Sequence, residues 1–211
     1  MFYIYIRGLI FGISIYNVSL ILDTTLCNDT FKELINTQGK LYIQGVNKCF
    51  INLVYISPLF YTINNYYFVN NIVNNFEILN IIYILLGHNI YYYIAHMMMH
   101  KINCIRFIHE FHHKFEKKIV PSIGNAVSEY EFLFAYLSPF IILSYIIKPT
   151  QLSLDISIAI IAILNMFIHN SELDNLKYSR YFVSPKNHVD HHTIQYKHYA
   201  APLVNIDNIL E

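Results

Sequence analysis

The chain has 211 residues, 55% of them hydrophobic and only 13% charged, a balance outside that of soluble domains and suited to a bilayer as solvent. Lys+Arg and Asp+Glu number 14 each, so no global field draws the protein to nucleic acid or to an acidic substrate, and any electrostatic role has to be local. Cys27, Cys49 and Cys104 are odd in number, far apart and never arranged as CxxC, which excludes a disulfide framework and a thiolate zinc site.

Measured against the roughly 20 residues a helix needs to cross the hydrocarbon core, five apolar stretches emerge in chain order. Phe2 to Leu22 is interrupted by Arg7, which can snorkel to the interface, and it lacks a small-residue cleavage site, so it reads as a span rather than a signal peptide. Cys49 to Ile63 contains Pro58. Ile78 to Ala95 delivers the chain directly into His96, with Tyr91, Tyr92 and Tyr93 where an interfacial aromatic belt falls in a protein without Trp. Phe132 to Ile147 and Leu152 to Ile168 are separated by Lys148-Pro149-Thr150-Gln151, a turn-forming break that predicts an antiparallel hairpin. A hairpin returns the chain to the side it left, so residues 96–113 and 169–192 share one membrane face. That face carries Lys101, Arg106, Lys114, Lys117, Lys118, Lys177, Arg180, Lys186 and Lys197, whereas residues 64–75 carry no Lys or Arg, so it is expected to be cytosolic. Three preceding spans would place the N-terminus on the opposite side. No repeat or low-complexity linker marks a second folding unit.

The chemistry lies in the histidines. Nine of eleven fall into His96-Met97-Met98-Met99-His100, His109-Glu110-Phe111-His112-His113, the isolated His169, and His188-Val189-Asp190-His191-His192. On a helix, residues three and four apart share a face, so each box can aim its imidazoles at a common point. Ser184-Pro185 reads as an N-cap followed by Pro at the first helical position, giving the last box a rigid first turn. The three methionines between His96 and His100 read as apolar packing rather than as thioether ligands. Neutral imidazole suits iron, zinc and copper, but a zinc ion needs only about four ligands, so nine candidates fit two ions better than one. Iron is the economical assignment beside a bilayer, because no side chain can itself oxidise an alkane C–H bond. The second box also satisfies HExxH, in which Glu110 would be the general base of a zinc peptidase; that reading leaves His112 and the third box without a task. Glu110, Glu131, Glu172, Asp174 and Asp190 are candidates to orient the imidazoles.

From about Tyr91 to Leu210 the sequence resembles the fatty acid hydroxylase superfamily, which includes sterol desaturases and methyl-sterol oxidases. The resemblance is carried by Tyr93-Ile94-Ala95-His96 leading into HxxxH, by Phe107-Ile108-His109-Glu110-Phe111-His112-His113, by Phe167-Ile168-His169-Asn170, and by Ser184-Pro185-Lys186-Asn187-His188 with His191 and His192. It implies an all-α integral membrane protein of about four to five apolar helices. Residues 1–75 would be membrane-anchor segments, and 76–211 a hydroxylase-like domain capped by a cytosolic His-rich di-metal centre. It further implies metal-ligand and catalytic roles for His96, His100, His109, His112, His113, His169, His188, His191 and His192. Against the family pattern, Met97 replaces an Arg, Asn89 replaces an acidic residue seven positions before the first His, and Ser128-Glu129-Tyr130-Glu131 keeps only the final carboxylate of a His-Pro-x-Glu element. A Trp-Asp pair leading to Phe-Gly-Thr becomes Ile206-Asp207 followed by Asn208-Ile209-Leu210-Glu211.

The expected function is therefore hydroxylation or desaturation of a sterol or fatty acyl C–H bond. It would use O2, two non-haem irons (with zinc as a possible substitute) and electrons from a cytochrome of the b type and its reductase. The expected location is the endoplasmic reticulum membrane. A membrane zinc peptidase and a catalytically inactive metal-binding relative are the alternatives.

Overall fold

A computed structural model describes residues 1–70 and 77–210. Glu211 and the expected boundary between residues 75 and 76 lie outside the described residues. Nine helices and several single turns make up this part of the chain, with no β-strand, as the helical apolar patterning predicts. Among the described residues, four helical segments are long and apolar enough to cross a membrane: Phe2–Thr25, Glu77–Lys101, Glu129–Ile147 and Gln151–Ile168.

The first is helix α1 (Phe2–Thr25). Arg7 pairs with Asp155, which also accepts the Tyr61 hydroxyl at 2.7 Å. An ion pair satisfied inside the bundle is cheaper than an unpaired guanidinium in lipid. Helix α2 (Asn28–Phe50), π-helical Ile51–Ile56 and helix α3 (Ser57–Phe68) follow without a break. The second apolar stretch is thus divided among these three elements, and it is not one of the four segments apolar enough to span. Its far end nevertheless reaches the level of Arg7 through Tyr61 on Asp155, and the chain after α3 meets the turn before the Gln151–Ile168 helix, where the Asn70 N–H donates to the Pro149 carbonyl at 2.8 Å. Helix α2 contains no long apolar run, so the hydropathy reading passed over it. Of its buried residues, Leu34 and Tyr42 pack with Phe115, Ile119, Ile123 and Ala126 of the loop that carries the second His box, Gly45 lies against the same residues, and Cys49 joins the core beneath the histidines.

At Gly12 the absence of a side chain is required: a Cβ there would stand 1.8 Å from the backbone oxygen of Leu53. The Gly12→Ala substitution is expected to force α1 off the π-helical turn and cost about 3 kcal/mol, at the upper end for overpacking. Thermal unfolding in detergent would show this as a lowered Tm, and an unchanged Tm would contradict the close approach.

Helix α4 (Glu77–Lys101) runs from the far side to the histidines. Helix α5 (Glu129–Glu131) passes through π-helical Phe132–Leu137 into α6 (Ser138–Ile147). Lys148 then turns the chain in a left-handed conformation (φ 50°), and Thr150 caps α7 (Gln151–Ile168) by accepting the Ser153 N–H. This is the expected hairpin. Helix α8 (Pro185–Ile194) starts as the Ser-Pro pair predicts, with the Ser184 hydroxyl accepting the Asn187 N–H at 3.1 Å, and α9 (Ile206–Leu210) ends the described chain.

Two of the apolar cores lie along the bundle axis. Ile84, Phe140, Leu154 and Ile161 pack at the far end; Tyr92, Met99, Phe132, Ala135 and Ile168 pack beneath the histidines. Met99 is buried in the second core, as the packing reading of the methionines requires. Tyr92 is buried there too, its ring edge-on to Tyr136, so it is not a belt residue.

Candidate metal centre

The last two turns of α4 supply His96 and His100. Turns between Arg106 and Phe115 supply His109, His112 and His113, while His169 sits one residue past α7 and α8 supplies His188, His191 and His192. All nine predicted histidines converge on one end of the bundle, in two groups. His96, His100, His109, His113 and His191 form one, and His112, His169, His188 and His192 the other; within each group the candidate ligand nitrogens all lie within 4.8 Å of one another.

The boxes do not each aim at one point, as the spacing suggested. Adjacent residues on a helix diverge by about 100°, so in each His-His pair one ring turns to each group. His188 and His192, four apart, stay together while His191 joins the other set. His109 and His113 stay together while His112 crosses over.

In the five-imidazole group the Nε2 atoms of His96, His109, His113 and His100 form a closed ring. Its successive edges are 2.9, 2.8, 3.2 and 3.3 Å. His191 Nε2 stands 3.0 Å from that of His96 and 3.1 Å from that of His100. These cannot be a web of hydrogen bonds, because a neutral imidazole has one N–H and four of these rings spend it elsewhere. His96 Nδ1 donates to the Tyr199 carbonyl at 2.8 Å, His109 Nδ1 to Glu131 at 2.7 Å, His113 Nδ1 to the His192 carbonyl at 3.2 Å, and His191 Nδ1 to the Lys197 carbonyl at 2.6 Å. Their Nε2 lone pairs therefore face one another, an arrangement that a cation among them makes favourable. Two donors at right angles about an ion ~2.1 Å away would stand about 3.0 Å apart, close to the observed edges.

In the four-imidazole group only His169 spends its Nδ1 proton outside the group. His169 Nδ1 donates to the Asn165 carbonyl at 2.7 Å, and its Nε2 lies 3.2 Å from His112 Nε2 and 2.8 Å from His188 Nε2. His112 Nδ1, His188 Nδ1 and both ring nitrogens of His192 are buried without a hydrogen-bond partner. A nitrogen pair orphaned in this way is costly unless something electropositive answers it. The donor sets thus fit two bound ions.

The orienting groups are mostly invisible to sequence, being carbonyls. Glu131 alone of the five candidate carboxylates does this work, fully buried against His109. Glu172 instead accepts the Asp29 and Thr30 N–H groups, Asp190 pairs with Lys186, and Glu110 is exposed. The Tyr199 and Lys197 carbonyls belong to a strap that Asn89 holds. Its Oδ1 accepts the N–H groups of Leu203 (3.0 Å) and Val204 (3.1 Å) while its Nδ2 donates to the Val204 carbonyl at 3.0 Å. A carboxylate could accept both N–H groups but not donate the third bond, so the amide suits this strap.

Electrostatics keep the rings ready as ligands. Burial, reinforced by neighbouring imidazoles, holds His109, His112, His188, His191 and His192 well below the ordinary histidine value of 6.5. Burial pushes His113 and His169 down to about 4. These rings are neutral when folded and take up protons when unfolded. Stability is therefore full above 6.5 and is lost as pH falls from there towards about 4, with protons also competing for the metal-binding lone pairs. Metal content and Tm measured against pH should fall together across that window; full metal retention at its acid end would contradict neutral, metal-ligating rings.

A cleft of about 440 Å³ opens at the five-imidazole group, lined by His100, His109 and His113 and rimmed by Arg106, Glu110 and Lys114. The His109-Glu110-x-x-His113 pair lies on irregular turns rather than on a helix and joins three further imidazoles. A catalytic zinc site uses three protein ligands and an open position, so the peptidase reading has no support in this geometry.

Four apolar helices capped by two imidazole clusters have the build of an integral-membrane metalloprotein. The fatty acid hydroxylase family model matches residues 81–211, well over half of the chain, and the protein belongs to the fatty acid hydroxylase family. That family's chemistry is of the oxidoreductase type, with iron as its metal, and its domain together with the histidine clusters fits a membrane oxygenase. No curated protein matches the chain, and no solved structure does.

Proposed function

We propose that this protein hydroxylates or desaturates a lipid C–H bond, with two irons held by the nine histidines. The observation that carries the reading is the facing of Nε2 lone pairs in the five-imidazole group, beside a second group of four whose buried ring nitrogens find few partners elsewhere, at the end of an apolar bundle. His96, His100, His109, His113 and His191 would hold one iron, and His112, His169, His188 and His192 the other. Bound there, iron would supply the activation of O2 and the removal of hydrogen from carbon.

The chain's own groups do the rest. Glu131 and the carbonyls of Tyr199, Lys197, His192 and Asn165 take the Nδ1 protons and so point Nε2 inward. The buried core beneath, with Tyr92, Phe132 and Ile168, keeps bulk water from the lipid side of the site. Turning a C–H bond and O2 into an alcohol and water consumes two electrons and two protons. We assign their supply to a cytochrome of the b type and its reductase, docking on a cytosolic histidine face in the endoplasmic reticulum. The basic rim at Arg106 and Lys114 supports that docking.

The test is lipid mass spectrometry of cells expressing the intact chain, together with iron analysis of the purified protein. About two irons per chain and a new hydroxylated or unsaturated lipid are expected. Bound metal with no lipid product in the presence of a reductase system would identify an inactive relative instead.

A further inference from the structure

His88 lies outside both imidazole groups, eight residues before His96 on α4, and the oxygenase reading gives it no task. It is 1% exposed. Its Nε2 lies 3.2 Å from the Tyr136 carbonyl, which can only accept, so Nε2 carries the proton and Nδ1 is left with a lone pair. No hydrogen-bond partner answers that lone pair, inside a helix that crosses the apolar core, where an unmet acceptor is expensive.

His88 lines a cavity of about 60 Å³ between α1, α4, α6 and α7. Asn125 lines the same cavity, and its Nδ2 is buried and equally without a partner. Ser57, Tyr136 and Asn165 also line it, and the rest of the lining is apolar. Ile15, Leu137, Phe140 and Ile158 are shared with a second cavity of about 50 Å³ that continues the crevice towards Tyr61 and Asn64 at the far end of the bundle. The crevice also adjoins the four-imidazole group. Asn165, on its wall, lies one helical turn before His169 and accepts that ring's Nδ1 proton through its carbonyl. The space is larger than the ~10–15 Å³ that one water needs, and its half-buried apolar residues Ile15, Leu137 and Ile158 suit part of an alkyl chain.

We propose that this crevice binds a lipid through a hydroxyl group, which donates to His88 Nδ1, with the alkyl portion along Ile15, Phe140 and Ile158. A hydroxyl is the smallest group that both donates to a bare ring nitrogen and accepts from an amide such as Asn125 Nδ2. An ester, an ether or a ketone can only accept and would leave the His88 nitrogen unmet. The proposal deepens the oxygenase reading, on which it rests, by naming a hydroxyl-bearing lipid as the substrate class.

The experiment measures binding of 1-hexadecanol, its methyl ether and hexadecane to the purified, iron-loaded full chain by native mass spectrometry. The expected result is that the alcohol binds about tenfold tighter than the ether, the difference one added hydrogen bond makes. His88→Leu should abolish that preference, and His88→Gln, whose amide oxygen can accept, should restore part of it. Equal affinity for alcohol and ether in the unaltered protein, as expected if water alone occupies the cavity, would overturn the proposal. So would an alcohol preference that survives His88→Leu. Should His88→Leu fail to fold, Ile158→Phe fills the crevice from another helix. It should block alcohol binding with metal content unchanged, and undiminished binding would overturn the proposal. Because the readout is binding, it is separable from turnover. An alcohol preference in a protein that oxidises no lipid supports the pocket and counts against the oxygenase, whereas turnover without the preference does the reverse.

Discussion

A His112→Ala protein should bind one metal ion per chain instead of two, and its lipid oxidation should fall by more than about 100-fold, beyond the loss typical of removing a group that merely orients a ligand. The four-imidazole group has the smaller ligand set, and the substitution leaves it only His169, His188 and His192. Removing the His112 ring also leaves His169 Nε2, 3.2 Å away, facing only His188. The neighbouring five-imidazole group does not use His112, so its ion should stay. Elemental analysis with parallel lipid mass spectrometry checks both halves. Retention of two ions with undiminished product would remove His112 from the site. A peptidase built on His109, Glu110 and His113 would also survive this substitution, which makes it the most discriminating single change in the chain.

The same residue shows where sequence reasoning reaches its limit. The histidines could be picked out because i, i+3 and i, i+4 spacing is a local property, and the hairpin because Lys148-Pro149-Thr150 is turn chemistry. The division into groups of five and four was not legible. It depends on how the turns at 106–115 lie against α8, a tertiary fact, although the adjacency in His112-His113 and His191-His192 hints that two centres are served. The orienting groups were harder still. The carbonyls of Tyr199, Lys197, His192 and Asn165 belong to residues whose side chains carry no signal for the role. Asn89 looked like a loss against the family pattern, yet it holds the strap from which two of those carbonyls come. Helix α2 escaped notice because its buried face is spaced for packing on a loop rather than for crossing lipid. Arg7 could be read only as a flaw in a span until Asp155, 148 residues away, was seen to answer it.

Among the orienting groups, Glu131 should give the second large effect. Its carboxylate takes the His109 Nδ1 proton at 2.7 Å with both side chains buried. It is itself fixed by α5, whose first turn Ser128 caps by accepting the Glu131 N–H at 3.1 Å. A carboxylate in this position does two things: it sets the tautomer that leaves Nε2 free, and its charge makes the ring a stronger donor to a cation. Substitution separates the two. Glu131→Gln keeps an acceptor for the Nδ1 proton but removes the charge, so metal affinity of the five-imidazole group should fall about tenfold. Glu131→Ala removes both, and the loss should approach about 100-fold. The four-imidazole group, in which the Asn165 carbonyl orients His169 and Glu131 touches no ring, should be unaffected in either variant, so stepwise metal titration should show one weakened site and one intact one. Equal weakening of both sites would mean that Glu131 acts by holding the fold together, and unchanged affinity in Glu131→Ala would mean that the buried contact with His109 has no part in metal binding.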